Sequence, residues 1–184
     1  MNKLYAFLAD GMEEVECLAV VDIARRGGIQ VETVSIMGRR EVTGSHNITV
    51  LADRLFEETD FQAGDTLFLP GGGKGVENLT AHPGLAALLK EAAGRGDRIA
   101  AICAAPSVLG ENGLLHGKKY TCYPGFENDE KYHGTYTAAP LQQDGMVITC
   151  NGAGNALTFA LYLLAALQGE EKALEVGRSI QMKL

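Results

Sequence analysis

The sequence has 184 residues, with 16 Lys and Arg against 23 Asp and Glu, which gives a formal net charge of −7. This acidic balance argues against a general binder of nucleic acids or anionic membranes. The longest apolar run covers residues 156–167, too short for a membrane span, which needs roughly 18 apolar residues. A hydrophobic fraction of 46% argues against disorder, and the length fits a single domain over 1–184.

Short apolar strands alternate with helical segments, a pattern typical of an α/β fold with a largely parallel sheet. The pattern predicts strands at 4–9, 31–37, 66–69, 98–102, 119–122 and 146–149. Helices are predicted at 13–26, around 85–92, from 104 to 109, at 155–167 with Asn155 as N-cap, and at 170–181. The first helix is expected to bury Val15, Leu18, Ala19 and Ile23. Residues 41–51 indicate a β-hairpin inserted into this alternation.

Four widely spaced cysteines occur without any C-x-x-C pair, so neither a zinc ribbon nor a disulfide framework is expected. The apolar start of the chain ends too soon, at Asp10, for a signal peptide. We therefore expect a reduced, cytoplasmic protein with free thiols. Cys17, Cys122 and Cys150 are interpreted as structural.

Cys103 follows a predicted strand directly and is flanked by alanines, which is typical of a nucleophile elbow. Ligands of open α/β sheets bind at the carboxyl ends of strands, where this cysteine is expected. The backbone N–H groups of Gly72 and Ala104 could point at one oxyanion position there. The alternative is that Cys103 is a small buried residue that closes a core strand.

The chain resembles the ThiJ/PfpI superfamily, in the branch of the parkinsonism-associated protein deglycase. The segments that carry the resemblance are 11–16 (GMEEVE), 69–72 (LPGG), 100–106 (AAICAAP) and 151–154 (NGAG). The resemblance implies a flavodoxin-like three-layer α/β sandwich of the class I glutamine amidotransferase-like type, and a homodimer. It also implies that Cys103 is a nucleophilic, oxidisable cysteine whose sulfur is hydrogen-bonded by Glu16. Gly71, Gly72 and Ala104 match the oxyanion and substrate-binding positions.

Two positions need separate interpretation. Tyr123 occupies the position at which many members of the resembled family have a histidine, so a Cys-His-Asp hydrolase is disfavoured. Tyr123 either offers its hydroxyl to a substrate or packs as an aromatic ring. His46 lies in the hairpin, where the resemblance implies a basic residue that approaches the partner's site; the alternative is an exposed turn histidine. Glu16 without the resemblance would read as a solvated helix carboxylate beside Glu13 and Glu14.

The leading hypothesis is a cofactor-free enzyme that acts on α-oxoaldehydes such as methylglyoxal, or on their early glycation adducts with amines and thiols, with a role in oxidative stress. The sequence offers no pattern for nicotinamide, flavin or ATP, and no metal-ligand spacing. A second hypothesis is a non-enzymatic redox sensor or chaperone-like protein based on oxidation of Cys103. An amidotransferase-like hydrolase ranks lower because no histidine base is visible.

Overall fold

The computed structural model describes residues 2–183. Its strands are β1 (Leu4–Leu8), β2 (Val31–Ser35), β3 (Glu41–Thr43), β4 (Thr49–Leu51), β5 (Arg54–Leu55), β6 (Thr66–Leu69), β7 (Ile99–Ile102), β8 (Lys119–Tyr120), β9 (Thr135–Tyr136), β10 (Leu141–Asp144) and β11 (Val147–Cys150). Its α-helices are α1 (Glu14–Arg26), α2 (Gly73–Ala81), α3 (Pro83–Arg95), α4 (Pro106–Glu111), α5 (Asp129–Tyr132), α6 (Ala156–Gln168) and α7 (Glu170–Ser179).

Seven strands form the central sheet in the order β10-β11-β7-β6-β1-β2-β5. The strands from β11 to β5 pair in parallel, and β10 pairs antiparallel with β11 at one edge. Because β1, β6 and β7 are adjacent and parallel, the segments that follow them meet at one edge of the sheet. Those segments carry the start of α1, the glycines after residue 70, and Cys103.

Helices cover both faces of this sheet. Alternate strand residues such as Leu8, Phe68 and Ile102 pack with α1, α6 and α7, while Phe7, Leu69 and Ala101 pack with the helices α2 to α5. Since successive strand residues point to opposite faces, two cores follow directly from the apolar runs. This arrangement confirms the flavodoxin-like three-layer sandwich.

The predicted hairpin is present as β3 and β4, which pair antiparallel outside the main sheet. Its turn packs on the start of α1, where Ser45 N–H donates to Met12 O at 2.8 Å. The hairpin therefore lies beside the edge of the sheet that carries Cys103. Across 2–183, no helix combines the length and apolarity that crossing a bilayer requires.

The prediction for the buried face of α1 was wrong in part. Val15 is 58% exposed and Leu18 is 39% exposed, whereas Ile23 is buried as expected. The face that packs inward instead includes the side chains Glu14, Glu16, Cys17, Val20, Val21 and Ala24. Two carboxyl groups lie on this inward face and accept hydrogen bonds from other segments, which helical periodicity alone does not encode.

Other elements differ from the pattern in detail. Helices α2 and α5 and strand β10 were not predicted, and Glu13 is the N-cap of α1 rather than its first residue. Asn155 precedes α6 as expected, but its side chain makes no capping bond and donates to Asn151 Oδ1 at 2.8 Å. Helix α2 was not predicted because two of its nine residues, Gly73 and Gly75, and its N-cap, Gly72, are glycines, which are poor helix formers.

Candidate active site

Cys103 lies on a strained turn between β7 and α4. Its φ is 62°, a left-handed conformation that is unfavourable for a residue with a Cβ. The turn is fixed on both sides: Cys103 N–H donates to Cys150 O at 2.9 Å, and its carbonyl accepts from Tyr123 N–H at 2.7 Å. The predicted nucleophile elbow is therefore present, and it aims the sulfur out of the carboxyl edge of the sheet, where the side chain stays partly exposed.

The sulfur of Cys103 sits among groups with opposite effects on its ionisation. Burial, the charge of Glu16 and a hydrogen bond with Glu16 raise the pKa of the thiol, to about 12, while the backbone N–H groups of Ala104 and Gly72 lower it. The two N–H groups predicted to form an oxyanion position thus point at the sulfur itself. When the Glu16 carboxyl holds a proton, its repulsion of the thiolate disappears, and the two backbone donors then act against burial alone.

Glu16 is fully buried, so the alternative of a solvated helix carboxylate is wrong. Burial raises its pKa to about 7, and the bonds from Cys103 and Gly71 only partly offset that effect. Its Oε2 accepts from Gly71 N–H at 2.9 Å, while its Oε1 is buried with no hydrogen-bond partner in the described chain. Glu16 and Cys103 therefore form a coupled pair that shares a proton above neutral pH.

Two glycines allow this close packing. A Cβ on Gly71 would lie 2.5 Å from Glu16 Oε2 and 2.6 Å from the Cβ of Cys103. Gly72 has a φ of 94°, and a Cβ there would overlap the backbone of Gly11 and Glu13. Any larger residue at either position would push the Glu16–Cys103 pair apart or displace the start of α1.

His46 is exposed and lies at the start of α1, beside Glu14. Its Nδ1 is 2.8 Å from Glu14 Oε2 and its backbone N–H donates to Glu14 Oε1 at 2.7 Å. The hydrogen bond to Glu14 raises the pKa of His46. Burial alone would raise the pKa of Glu14, but the bonds from His46 and Ile48 outweigh it and hold that pKa at about 2. Within one chain, His46 thus holds the hairpin to α1.

Ligand-type atoms of Glu13, Glu14 and His46 come within 4.8 Å of one another, the spacing of a metal cluster. Their existing bonds account for this arrangement. Glu14 already accepts from the His46 ring, from two backbone N–H groups and from the Ser45 hydroxyl, and Glu13 caps α1 by accepting from Glu16 N–H at 2.7 Å. The cluster is explained as a helix start and carries no argument for a metal.

Tyr123 lies next to the elbow with half of its surface exposed. Its backbone bonds to Cys103 O, and its ring faces Phe126 edge-on, with centroids 6.4 Å apart. Cys17, Cys122 and Cys150 are buried, as expected of structural cysteines. The sequence reasoning missed the capping role of Glu13 and the burial of Glu14; the acidic run 13–16 was the signal, but it does not reveal which carboxyl faces inward.

Comparisons with known proteins agree with this geometry. A profile of the DJ-1/PfpI family matches residues 2–166. The Parkinson disease protein 7 homolog of Danio rerio is 36% identical over 99% of this chain and 98% of its own length. The glutathione-independent glyoxalase DJ-1 of Schizosaccharomyces pombe is 29% identical over 99% of this chain and 100% of its own. A solved cysteine-to-alanine mutant of a DJ-1 superfamily protein from Salmonella typhimurium superposes with a TM-score of 0.94, at 35% identity over 100% of both chains.

Proposed function

The chain belongs to the DJ-1/PfpI family, and from that membership and the geometry around Cys103 we propose that it is a cofactor-free enzyme acting on α-oxoaldehydes such as methylglyoxal. The name of the Schizosaccharomyces pombe relative supports a glyoxalase reaction without glutathione. The observation that carries the proposal is the buried carboxyl group of Glu16, which is hydrogen-bonded with Cys103 while its Oε1 has no partner within residues 2–183.

In the proposed reaction, the Cys103 thiolate adds to the aldehyde carbon and forms a hemithioacetal. Glu16 then takes the proton from that carbon and returns it to the neighbouring carbon, the task of a carboxyl group whose pKa is about 7. The resulting thioester is hydrolysed by water, which releases a 2-hydroxy acid and restores the thiol. The same attack on an early adduct of an amine or thiol would make the protein a deglycase.

We also propose that the protein is a homodimer built on α1 and the hairpin. Val15 and Leu18 on α1, and Ile48 and Leu51 on the hairpin, are all exposed apolar side chains on neighbouring elements. Exposed apolar side chains that group together mark interaction surfaces. In such a dimer His46, 69% exposed at its side chain, would lie at the boundary between the subunits, as the family resemblance implies.

The test is lactate formation from methylglyoxal without glutathione, measured for the wild type, Cys103→Ala and Glu16→Ala. Turnover by the wild type that is lost in both variants supports the Cys–Glu mechanism. Full turnover by Cys103→Ala would refute it. Sedimentation of the wild type and of Leu18→Glu tests the dimer, since a charge on the proposed interface is expected to release monomers.

The same pair of residues also supports a redox role, in which peroxide oxidises Cys103 to a sulfinic acid. The N–H groups of Gly72 and Ala104 and a protonated Glu16 are donors that suit sulfinate oxygens. Intact mass after mild peroxide distinguishes this function, because two added oxygen atoms located at Cys103 are expected. No wild-type turnover together with this modification would favour the sensor over the enzyme.

A further inference from the structure

At the amino-terminal edge of the sheet, Arg98 is a cation without a counter-charge. Arg98 directly precedes β7, and Cys103 directly follows it. The Cα atoms of the two residues are therefore separated by five residues, or roughly 16 Å of extended chain. The Nε of Arg98 is buried and has no hydrogen-bond partner, and none of the ion pairs formed within residues 2–183 involves it. The side chain as a whole is only partly buried, but a buried N–H group that lacks an acceptor costs free energy.

The neighbouring carboxylate does not fill this role. Asp97 is next to Arg98 in the chain, but its Oδ1 accepts from Gly64 N–H at 2.8 Å and its Oδ2 pairs with Arg95 at 2.8 Å. Lys3, the nearest other cation of this edge, already pairs with Glu32 at 2.8 Å. Within residues 2–183, Arg98 forms an ion pair neither with Asp97 nor with Glu170, the carboxylate that lines the smaller of the two cavities beside it.

Two cavities meet at Arg98. The larger, of about 400 Å³, is lined by Arg98 and Lys3, by the neutral donors Asn2, Thr66 and Gln168, and by Asp97, whose two oxygens are already bonded to Gly64 and Arg95. The smaller, of about 260 Å³, lies on the other side, towards Gln143 and Tyr162. The donors that remain free in the larger cavity are the Arg98 guanidinium and neutral amide and hydroxyl groups, since Lys3 pairs with Glu32 and Asp97 with Arg95, and these free donors suit an oxyanion.

We propose that this cavity, called here the Arg98 cavity, binds a small oxyanion, a carboxylate or a phosphate group, through the Arg98 guanidinium. The planar guanidinium matches the two oxygens of either group, and the protein's net charge of −7 disfavours unspecific anion binding elsewhere. The site lies at the opposite edge of the sheet from Cys103 and is independent of the proposed enzymatic function.

The experiment titrates the wild type, Arg98→Gln and the matched control Arg178→Gln with inorganic phosphate and, separately, with citrate, at constant ionic strength. Arg178→Gln removes the same charge at the end of α7. We expect saturable binding, measured by calorimetry, that is equal in the wild type and the control and at least about tenfold weaker in Arg98→Gln. Binding of phosphate alone or of citrate alone identifies the source of the oxyanion.

A second measurement does not depend on how the variant folds. In the ¹⁵N spectrum of the wild type, the Nε–H signal of Arg98, assigned by its absence from Arg98→Lys, is expected to shift saturably with the anion. Equal binding by Arg98→Gln and the wild type would overturn the proposal. The proposal would also be overturned if neither anion shifted the Nε–H signal of Arg98. That result would mean that the guanidinium turns to Glu170 across the smaller cavity.

Discussion

Glu14 and Glu16 are two residues apart in the first turn of α1, and both are buried, yet their pKa values move in opposite directions. The pKa of Glu14 falls to about 2, because the His46 ring, two backbone N–H groups and the Ser45 hydroxyl donate to its two oxygens. The pKa of Glu16 rises to about 7, because burial outweighs the bonds that it receives from Gly71 and Cys103. Glu16 is the more deeply buried of the two and receives fewer hydrogen bonds, and both differences separate the pKa values of the two carboxyl groups.

This difference assigns two tasks to one helical turn. The satisfied carboxylate of Glu14 holds the hairpin to the helix and has no free lone pair directed at a substrate. The under-satisfied carboxyl of Glu16 lies next to the Cys103 thiol with a pKa of about 7, which suits the general acid–base role that we propose for it. The first turn of α1 thus combines the structural contact of Glu14 with the proposed reactive group of Glu16, whose Oε1 is left without a hydrogen bond.

The largest expected effect is on catalysis and comes from replacing Glu16. Glu16→Gln is expected to lower kcat for methylglyoxal by about 10² to 10⁴, the usual contribution of a general acid–base group. The matched change Glu14→Gln, measured at a temperature where it stays folded, is expected to leave kcat within about tenfold of the wild type, because Glu14 does not reach Cys103. Comparable losses in both variants would show that the two glutamates do not differ in role.

The next effect concerns stability. Glu14→Ala leaves the N–H groups of His46 and Ile48 without an acceptor and is expected to cost about 1–3 kcal/mol of the free energy of unfolding. The folded pKa lies below the ordinary value of 4.5, so this stabilisation is present above pH 4.5 and is lost as the pH falls towards 2. Urea unfolding at several pH values checks this, and a constant difference across that range would contradict it.

Glu16 is expected to act on stability with the opposite sign. Its pKa is raised from 4.5 to about 7 on folding, so its contribution is present below pH 4.5 and is lost as the pH rises through 7. Glu16→Gln is therefore expected to be more stable than the wild type at pH 8, in contrast to Glu14→Ala. Urea unfolding of both variants at pH 8 decides this; destabilisation by Glu16→Gln would mean that its charged form is the favoured one.

Activity should follow the ionisation of the Glu16–Cys103 pair. Below pH 7 both groups hold a proton, and above it the pair holds one, so that a Glu16 carboxylate is available to take the thiol proton when Cys103 attacks. We expect kcat/KM to rise with pH, about tenfold per unit below an inflection near 7, and the inflection to be absent in Glu16→Gln. A flat profile in the wild type between pH 5 and 8 would separate the chemistry from this pair.

The smallest effect belongs to His46, whose exposed ring only complements Glu14. Its pKa is raised above the ordinary 6.5, so its stabilisation is complete below pH 6.5 and is lost as the pH rises through the folded value. His46→Gln is expected to lower the melting temperature slightly below pH 6.5 and to leave it unchanged well above that range. An equal decrease at high pH would indicate that the ring acts by packing and not by charge.

The amino-acid pattern was sufficient for the succession of the main strands along the chain, the largely parallel α/β sheet and the inserted hairpin, because apolar runs and glycines report local structure directly, while the three-layer sandwich followed from the family resemblance. The position of Cys103 on a tight turn also followed from its small neighbours. The parallel sheet then places the ends of β1, β6 and β7 together by a general rule, so the neighbourhood of Gly72 and Ala104 could be predicted as well.

What only the tertiary structure decided is the state of each polar group. Helical periodicity predicted Val15 and Leu18 on the buried face of α1, whereas Glu14 and Glu16 lie on that face. Their donors come from the hairpin, 32 residues away, and from Gly71, 55 residues away. At the opposite edge of the sheet, Arg98 differs from the other cations because no acceptor within residues 2–183 reaches its buried Nε. A side chain's ionisation depends on partners distant in sequence, and their arrangement exists only once the sheet has formed.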